Sequence, residues 1–169
     1  DSDDEQWGDI AMFTTNGDQH MYNPMEFMVI CAARLLEDGR TAAVGTGVPC
    51  AAAMQAQRTT APNLMVCFEA GGVAPQLPTM PISVGDSRTF YRGLMATSMC
   101  EIMETCQRGM MDYTFLGGAQ IDAYGNLNSS MIGDDYARPK VRFPGSGGAN
   151  DLASLCWRTL VVTVHDSRR

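Results

Sequence analysis

The chain has 169 residues, 45% of them hydrophobic, which is enough for one sizeable core and argues against disorder. Nineteen acidic residues outnumber 12 basic ones and Lys140 is the only lysine, so the sequence lacks the clustered positive charge that a nucleic-acid surface requires. No run of apolar residues approaches the roughly 18 to 20 that a membrane span requires.

Residues 1–22 form an acidic arm without a helix or strand period, and a predicted helix follows it. Asn23 is suited to the N-cap, Pro24 to the first helical position and Glu26 to a capping box. One face of this helix collects the apolar residues Met25, Met28, Val29, Ala32, Leu35 and Leu36. Gly39 takes the place of a C′ glycine, so we expect the helix to end there.

A strand, a glycine turn and a helix come next. Residues 41–44 are apolar, residues 45–49 read Gly-Thr-Gly-Val-Pro, and residues 50–58 are alanine-rich. Cys50 stands where a dinucleotide fingerprint needs its third glycine, so a Rossmann cofactor site is not predicted. The helix N-terminus leaves backbone N–H groups free, which makes Gly45 and Gly47 candidates for an anion-binding turn. The alternative is a tight turn with no ligand.

The next strand ends at a carboxylate. Residues 64–68 are continuously apolar, and Glu69, Gly71 and Gly72 follow. Two strands joined by one short helix imply a parallel pair, and ligands of α/β proteins gather at the carboxyl ends of such strands. Glu69 is therefore a candidate functional carboxylate, beside glycines that would let a substrate approach the backbone. The alternative is a loop glutamate paired with a nearby arginine.

The following stretch alternates less regularly. Residues 73–86 contain three prolines and predict an irregular excursion, and residues 89–92 are interpreted as a short strand. Residues 93–107 are interpreted as a helix closed by Gly109, with an apolar face made of Met95, Ser98, Met99, Ile102, Met103 and Cys106. Residues 112–116 form a predicted strand that ends in Gly117-Gly118-Ala119-Gln120.

Residues 121–144 consist mostly of turn-forming residues, which is typical of a functional or interface segment, with brief pairing expected at 141–143. A glycine-dense loop at 145–151 precedes a helical turn at 152–155 and a strand at 159–164. Because short apolar strands alternate with helices, we predict an α/β fold with an open, mainly parallel sheet and flanking helices.

The cysteines and histidines limit the chemistry. The six cysteines lie in apolar or helical patterns and include no C-x-x-C pair, so we expect buried, reduced thiols in a cytoplasmic protein. His20 and His165 are the only histidines and lie far apart, which leaves little material for a histidine metal site or a Ser-His triad. We therefore expect no metal.

Several segments together resemble one family. They are residues 45–49, the strand ending at Glu69, the block 115–129 (Phe-Leu-Gly-Gly-Ala-Gln-Ile-Asp-Ala-Tyr-Gly-Asn-Leu-Asn-Ser) and the block 142–150 (Arg-Phe-Pro-Gly-Ser-Gly-Gly-Ala-Asn). They are similar to β subunits of family I CoA-transferases, nearest the glutaconate CoA-transferase type. The resemblance covers residues 23–169 almost continuously, which defines a CoA-transferase β-subunit-like domain after the arm at 1–22.

The resemblance implies a fold of the CoA-transferase (NagB/RpiA-like) type and a homologous α subunit as partner, in an α2β2 heteromer or a larger one. It implies that Glu69 attacks the carbonyl of an acyl-CoA at the subunit interface. Coenzyme A is then a cosubstrate, a small carboxylic acid is the other substrate, and no permanently bound cofactor is expected. Family β subunits continue beyond the segment at which this chain ends.

The implied chemistry assigns roles to the glycine blocks. Attack by Glu69 on a thioester gives an acyl–glutamyl anhydride and then a glutamyl-CoA thioester, and both hydrolyse unless water is excluded. Backbone N–H groups must face the developing oxyanion, and Gln120 and Asn150 are candidates to orient the acyl carboxylate or the pantetheine amides. For any single glycine the alternative is a tight turn. The implied oxyanion and CoA-binding residues are Gly117, Gly118, Ala119, Gln120, Gly145, Gly147, Gly148, Ala149 and Asn150.

Other functions stay open at this point. The same scaffold supports acyl-CoA hydrolysis or decarboxylation, and a non-catalytic structural or interaction subunit of a larger assembly is a further alternative. Cys67 shares a strand face with Glu69 and is a conceivable thiol nucleophile, although we favour buried packing for it. The sequence does not specify the acyl donor or the acceptor.

Overall fold

The computed structural model describes residues 23–163, so the acidic arm, both histidines and the end of the last predicted strand lie outside the described residues. The elements in chain order are α1 (Pro24–Ala33), β1 (Thr41–Val44), α2 (Val48–Arg58), β2 (Met65–Phe68), β3 (Gly72–Val73), a 3-10 helix (Ser87–Phe90), β4 (Met95–Ala96), α3 (Met99–Gln107), β5 (Tyr113–Leu116), β6 (Gln120–Ile121), β7 (Leu127–Asn128), β8 (Met131–Ile132), β9 (Val141–Arg142), α4 (Ala149–Leu155) and β10 (Arg158–Val161). No helix in this range is long and apolar enough to cross a membrane.

The main sheet has the strand order β10-β5-β1-β2-β3-β4. Strands β10, β5, β1 and β2 are parallel, whereas β3 and β4 are antiparallel to their neighbours. The predicted open, mainly parallel α/β sheet is therefore confirmed. Val44 pairs with Phe68, and Leu116 pairs with Val161, so the carboxyl ends of all four parallel strands lie on one edge.

The sheet separates two apolar layers, because alternate residues of each strand point to opposite faces. On one face Val44, Phe68 and Phe115 pack with residues of α1 and α2. On the other face Ala43 and Cys67 pack with residues of α3 and α4. Glu69 comes two residues after Cys67, so the alternation directs it toward the α3 and α4 face.

Helix α1 begins as predicted and ends earlier. The Asn23 side chain accepts a hydrogen bond from the Met25 amide at 3.0 Å, but the helix ends at Ala33, and Gly39 (φ 72°) lies in a separate turn before β1. The predicted buried face is partly wrong, because Met25 is 39% exposed and Leu35 is 56% exposed. Small alanines form the buried surface at the end of the helix instead.

Helix α3 begins at Met99, so the predicted start at residue 93 is wrong. Ser98 and Glu101 form a capping box, in which the Ser98 Oγ accepts from the Glu101 amide at 3.3 Å and Glu101 Oε2 accepts from the Ser98 amide at 3.2 Å. Met95 belongs instead to β4, which pairs with β3. Gly109 has φ 73° just after the helix, as its predicted closing role requires.

The excursion between β3 and α3 is mostly irregular, as the prolines predicted. The interpretation of residues 89–92 as a strand is wrong, because Ser87–Phe90 forms a 3-10 helix. Asp86 caps it by accepting from the Arg88 amide at 2.9 Å, and the Arg88 guanidinium lies 2.6 Å from the same carboxylate. These contacts hold the pKa of Asp86 well below its usual value.

Two short ribbons fill the turn-rich segment at 121–144. Strands β6 and β7 form one and β8 and β9 the other, and β9 provides the brief pairing predicted near residue 141. The ribbons are joined to the glycine-dense loop because the Gly145 amide donates to the Ser129 carbonyl at 2.9 Å and the Phe143 amide to the Ser130 carbonyl at 3.0 Å. This loop is therefore positioned by the segment before it.

The opposite, amino-terminal edge of the sheet carries a cleft of about 300 Å³, which includes residues at the starts of β5 and β10. Ion pairs cross it, between Arg158 and Glu37 at 2.8 Å and between Arg40 and Asp112 at 3.2 Å. Because its charges neutralise one another and it lies at the other end of the strands from Glu69, we interpret this cleft as structural.

Candidate active site

Glu69 is the first residue after β2 and is half-buried at the carboxyl edge of the sheet. Among residues 23–163, no side chain or backbone group forms a hydrogen bond or ion pair with its carboxylate. The alternative of a glutamate paired with a nearby arginine therefore finds no support in the described part of the chain. The carboxylate lies at a strand end and has no protein partner there.

The glycine-dense loop closes over Glu69 at Gly148. A Cβ atom added at Gly148 would lie 2.7 Å from Glu69 Oε1 and 3.2 Å from Glu69 Cδ. It would also lie 2.8 Å from the Cε methyl of Met103 on α3. Because each distance is below ordinary van der Waals contact, only a residue without a side chain leaves room for this carboxylate.

Gly71 and Gly72 do not face a substrate. Gly71 has φ 116° and donates its amide to the Phe68 carbonyl at 2.9 Å, which makes a tight turn after the strand. Added Cβ atoms would clash with the Thr97 carbonyl at Gly71 and with the Thr89 carbonyl at Gly72. The expectation that these glycines admit a substrate is therefore wrong, because the chain's own backbone occupies the space.

Cys67 is buried beneath Glu69, with 4% of its surface exposed. Burial raises the pKa of its thiol to about 11, so the thiolate needed for nucleophilic attack is scarce near neutral pH. The preference for packing over a nucleophilic role at this position agrees with the structure. Among the six cysteines, Cys31 and Cys100 are exposed, so the expectation that all six are buried is wrong for these two.

The first glycine block offers fewer donors than expected. The Ala119 amide donates to the Asn128 carbonyl at 2.9 Å in the β6–β7 ribbon, so it is not available to an oxyanion. The amides of Gly117 and Gly118 donate no hydrogen bond within residues 23–163. Only these two amides of the block keep the predicted donor role.

The second block is reduced in the same way. The Ala149 amide donates to the Ser146 carbonyl at 2.9 Å, which removes it from the set of candidate oxyanion donors. In the described range the amides of Gly147 and Gly148 have no acceptor. Gly147 has φ 52°, a conformation that favours glycine. Since Gly148 also contacts Glu69, this block brings unpaired N–H groups nearest to the carboxylate.

The two amide side chains differ. The Oε1 atom of Gln120 accepts from the Asn128 side chain at 2.8 Å, which leaves its Nε2 group as the available donor. Asn150 is exposed in the first turn of α4. The first of these side chains is fixed in place and the second is accessible, and their predicted contacts with substrate stay predictions.

Gly45 and Gly47 occupy the same edge of the sheet. Gly45 follows Val44, whose partner Phe68 precedes Glu69, so the turn and the carboxylate leave adjacent strands. Gly47 is the N-cap of α2 with φ 75°, and added Cβ atoms at either glycine would meet nothing within 4 Å. The open space is compatible with the predicted anion-binding turn, which stays a prediction.

Sequence reasoning missed Met103 as a neighbour of Glu69. It was expected only as part of an apolar helix face, and nothing in its local sequence distinguishes it from the other methionines of α3. No group of three or more His, Cys, Asp or Glu side chains that could hold a metal ion occurs between residues 23 and 163.

The fold and the site define an open α/β subunit that presents one unpaired carboxylate to a glycine loop at the carboxyl edge of its sheet. The chain belongs to the coenzyme A transferase family, whose model matches residues 26–169. It is 36% identical over 148 residues to one of the subunits of 3-oxoadipate CoA-transferase from Pseudomonas knackmussii, a match that spans 87% of this chain and 56% of that relative.

Solved structures agree with this membership. Glutaconate CoA-transferase from Acidaminococcus fermentans matches with a TM-score of 0.77 and 34% identity over 85% of this chain and 56% of that one. The decarboxylase AibA/AibB matches with a TM-score of 0.75 and 28% identity over 82% of this chain and 58% of that one. The chain thus spans little more than half the length of these relatives.

Proposed function

We propose that the chain is a subunit of an enzyme that transfers coenzyme A between an acyl-CoA and a carboxylic acid, with Glu69 as the nucleophile. The observation that carries this proposal is the half-buried Glu69 carboxylate, unpaired within residues 23–163 and seated against the unsubstituted Cα of Gly148. A carboxylate held there is free to attack, and a loop with unpaired amides lies beside it. Membership in the family and its named CoA-transferase relatives support the same reaction.

The reaction needs no net proton transfer. A Glu69 oxygen attacks the thioester carbonyl, and loss of CoA thiolate gives an acyl–glutamyl anhydride. The thiolate then attacks the glutamyl carbonyl and releases the first carboxylic acid as its anion, which leaves a glutamyl-CoA thioester. The acceptor carboxylate repeats these steps in reverse, forming the new acyl-CoA and restoring the Glu69 carboxylate.

The amides of Gly147 and Gly148 are our candidates to stabilise the oxyanions of these steps. They are unpaired within the described range, and Gly148 touches the attacking carboxylate. Amides fixed by a folded loop need no reorganisation as negative charge develops, which is the source of their catalytic effect. Gly117 and Gly118 are candidates for a second set of contacts, to coenzyme A or to the acyl group.

A homologous α subunit is the partner we propose, since the relatives from Pseudomonas knackmussii and Acidaminococcus fermentans are each named as one lettered subunit of a CoA-transferase. Coenzyme A enters as a cosubstrate and a small carboxylic acid as acceptor. We place the protein in the cytoplasm, in keeping with its six free cysteines.

Decarboxylation of an acyl-CoA is the second candidate, because a solved neighbour at 28% identity is named a decarboxylase. The two reactions make different use of Glu69. Transfer requires a covalent glutamyl intermediate and consumes an acceptor acid, whereas decarboxylation releases carbon dioxide and leaves the thioester intact.

The deciding experiment is mass spectrometry of the full-length protein, assembled with its partner chain and incubated with acyl-CoA and no acceptor. We expect a CoA adduct on the peptide that carries Glu69, and its loss on addition of a carboxylic acid with formation of the new acyl-CoA. Release of carbon dioxide without an adduct would favour the decarboxylase. Release of free CoA at the same rate with and without acceptor would identify a hydrolase.

A further inference from the structure

Met103 faces the carboxylate of Glu69 across the space above Gly148. Its Cε methyl lies 2.8 Å, and the Glu69 Oε1 atom 2.7 Å, from the point where a Cβ of Gly148 would stand. The two atoms are therefore closer together than the sum of those distances. Glu69 Cδ, the atom that would carry the acyl group, lies 3.2 Å from the same point.

The methyl group is held in this place by the packing of α3. Its helical neighbours Ile102 and Cys106 are 2% and 0% exposed, and Met103 itself is partly buried against the same apolar cluster. The capping box of Ser98 and Glu101 fixes where the helix starts. Met103 therefore connects the apolar core to the carboxylate, in contrast to Met99 on the same helix, which is 53% exposed.

We propose that Met103 is a positioning residue that keeps water away from the Cδ atom of Glu69 while it carries coenzyme A. This inference rests on the proposed function, because it concerns the glutamyl-CoA thioester. A water molecule near that carbon needs hydrogen-bond partners to stay, and a thioether methyl offers none. The side of the thioester that Met103 covers is therefore dry, and the thioester persists until an acceptor carboxylate arrives.

The consequence is selectivity between two nucleophiles. Water and the acceptor acid both attack Glu69 Cδ, and water is present at far higher concentration. An apolar wall on one side and the loop amides on the other leave one direction of approach. Met103 thus determines the ratio of transfer to hydrolysis rather than the rate at which the thioester forms.

The test compares Met103→Gln with Met99→Gln, the same change on the exposed side of the same helix. In the assembled enzyme with acyl-CoA, we expect Met103→Gln to raise the ratio of acceptor-independent CoA release to transfer about tenfold, and to shorten the lifetime of the Glu69 adduct by a similar factor. Met99→Gln should leave both unchanged. Met103→Leu, which restores an apolar wall, should return the ratio to within about twofold of the original protein.

The outcomes separate the two proposals. If the unaltered enzyme forms no Glu69 adduct, both proposals fail. If it forms the adduct and Met103→Gln changes neither ratio nor lifetime, only the role of Met103 is wrong. Should the variant not fold, oxidation of the unaltered enzyme by hydrogen peroxide replaces it: the adduct should protect Met103 and not Met99, and equal oxidation of Met103 with and without adduct would overturn the inference.

Discussion

Asp112 fastens the first residue of β1 to the start of β5. Its Oδ2 atom accepts hydrogen bonds from the backbone amide and the Oγ1 hydroxyl of Thr41, each 2.9 Å long, and Thr41 Oγ1 lies 2.9 Å from the Asp112 amide. The two residues are 71 positions apart in the sequence. They fix the amino ends of two central strands whose carboxyl ends lead to the candidate site.

Replacing Asp112 should weaken the whole fold. We expect Asp112→Ala to lower the free energy of unfolding by about 2 kcal/mol, because two hydrogen bonds to a charged group are lost and the Thr41 amide is left without a partner. Urea unfolding followed by circular dichroism measures this. Asp134→Ala, at an exposed position without such contacts, is the control and should change stability by less than about 0.5 kcal/mol. Equal effects would contradict the role of the Asp112 contacts.

Replacing Glu69 should abolish the reaction and preserve the fold. Glu69→Gln removes the nucleophilic oxygen, so we expect no CoA adduct and no transfer in the mass-spectrometric assay. Because the carboxylate has no hydrogen bond or ion pair within residues 23–163, the free energy of unfolding should change by less than about 0.5 kcal/mol. Glu26→Gln on α1 is the activity control. Transfer by the Glu69 variant would mean that another group is the nucleophile.

A methyl group at Gly148 should displace the carboxylate. In Gly148→Ala the new Cβ would lie 2.7 Å from Glu69 Oε1, so the side chain must move, and a shift of about 1 Å reduces turnover about 100-fold. Transfer kinetics measure this loss. In Gly85→Ala the added Cβ meets nothing within 4 Å, so this control should keep full activity. Normal transfer by the Gly148 variant would show that the carboxylate acts from another position.

The buried thiols predict a loss of stability at alkaline pH. Burial raises the pKa of Cys67 to about 11 and that of Cys50 to about 12, above the ordinary thiol value of 9.0. The folded chain therefore keeps protons that the unfolded chain releases, so the stabilisation is complete below pH 9 and falls as the pH rises above it.

We expect a decrease of about 1.4 kcal/mol per pH unit for each of these thiols between pH 9 and 11. Urea unfolding at several pH values measures the slope. Cys67→Ala should reduce it by one proton, whereas Cys31→Ala, at an exposed site, should not. An unchanged slope in the Cys67 variant would show that this thiol does not retain its proton on folding.

Iodoacetamide distinguishes the same cysteines at neutral pH. We expect rapid labelling of Cys31 and Cys100, which are exposed, and none of Cys67, which is buried and protonated. Peptide mass spectrometry gives the order of labelling, with the urea-unfolded protein as the control in which all six react. Labelling of Cys67 before Cys31 in the folded protein would restore the thiol as a candidate nucleophile.

Local patterns in the sequence predicted most of the parallel sheet. Continuous apolar runs before Gly45, Glu69 and Gly117 marked the strands, since a strand buried on both faces needs no alternation. The start of α3 was misplaced because Met95 continues the apolar period of the helix backward into β4. The Ser98 and Glu101 pair, a capping box, was the signal that could have placed it.

The contacts of the candidate site could be predicted only in part. The placement of Glu69 at a strand end follows from the apolar run and the direction of the strand. Its contacts with Met103 and Gly148 join three segments that are distant in sequence, and no periodicity contains that information. The engaged amides of Ala119 and Ala149 likewise depend on how each loop folds, which glycine content alone does not specify.

Because Glu69 and Gly148 share one small volume, mutation at either position constrains what evolution can accept at the other. A relative that carries a side chain at the position of Gly148 must have a shorter or differently directed residue at that of Glu69. Positions 69 and 148 should therefore covary across homologous sequences, and chains that have exchanged this glutamate for another chemistry are those in which the glycine is free to drift.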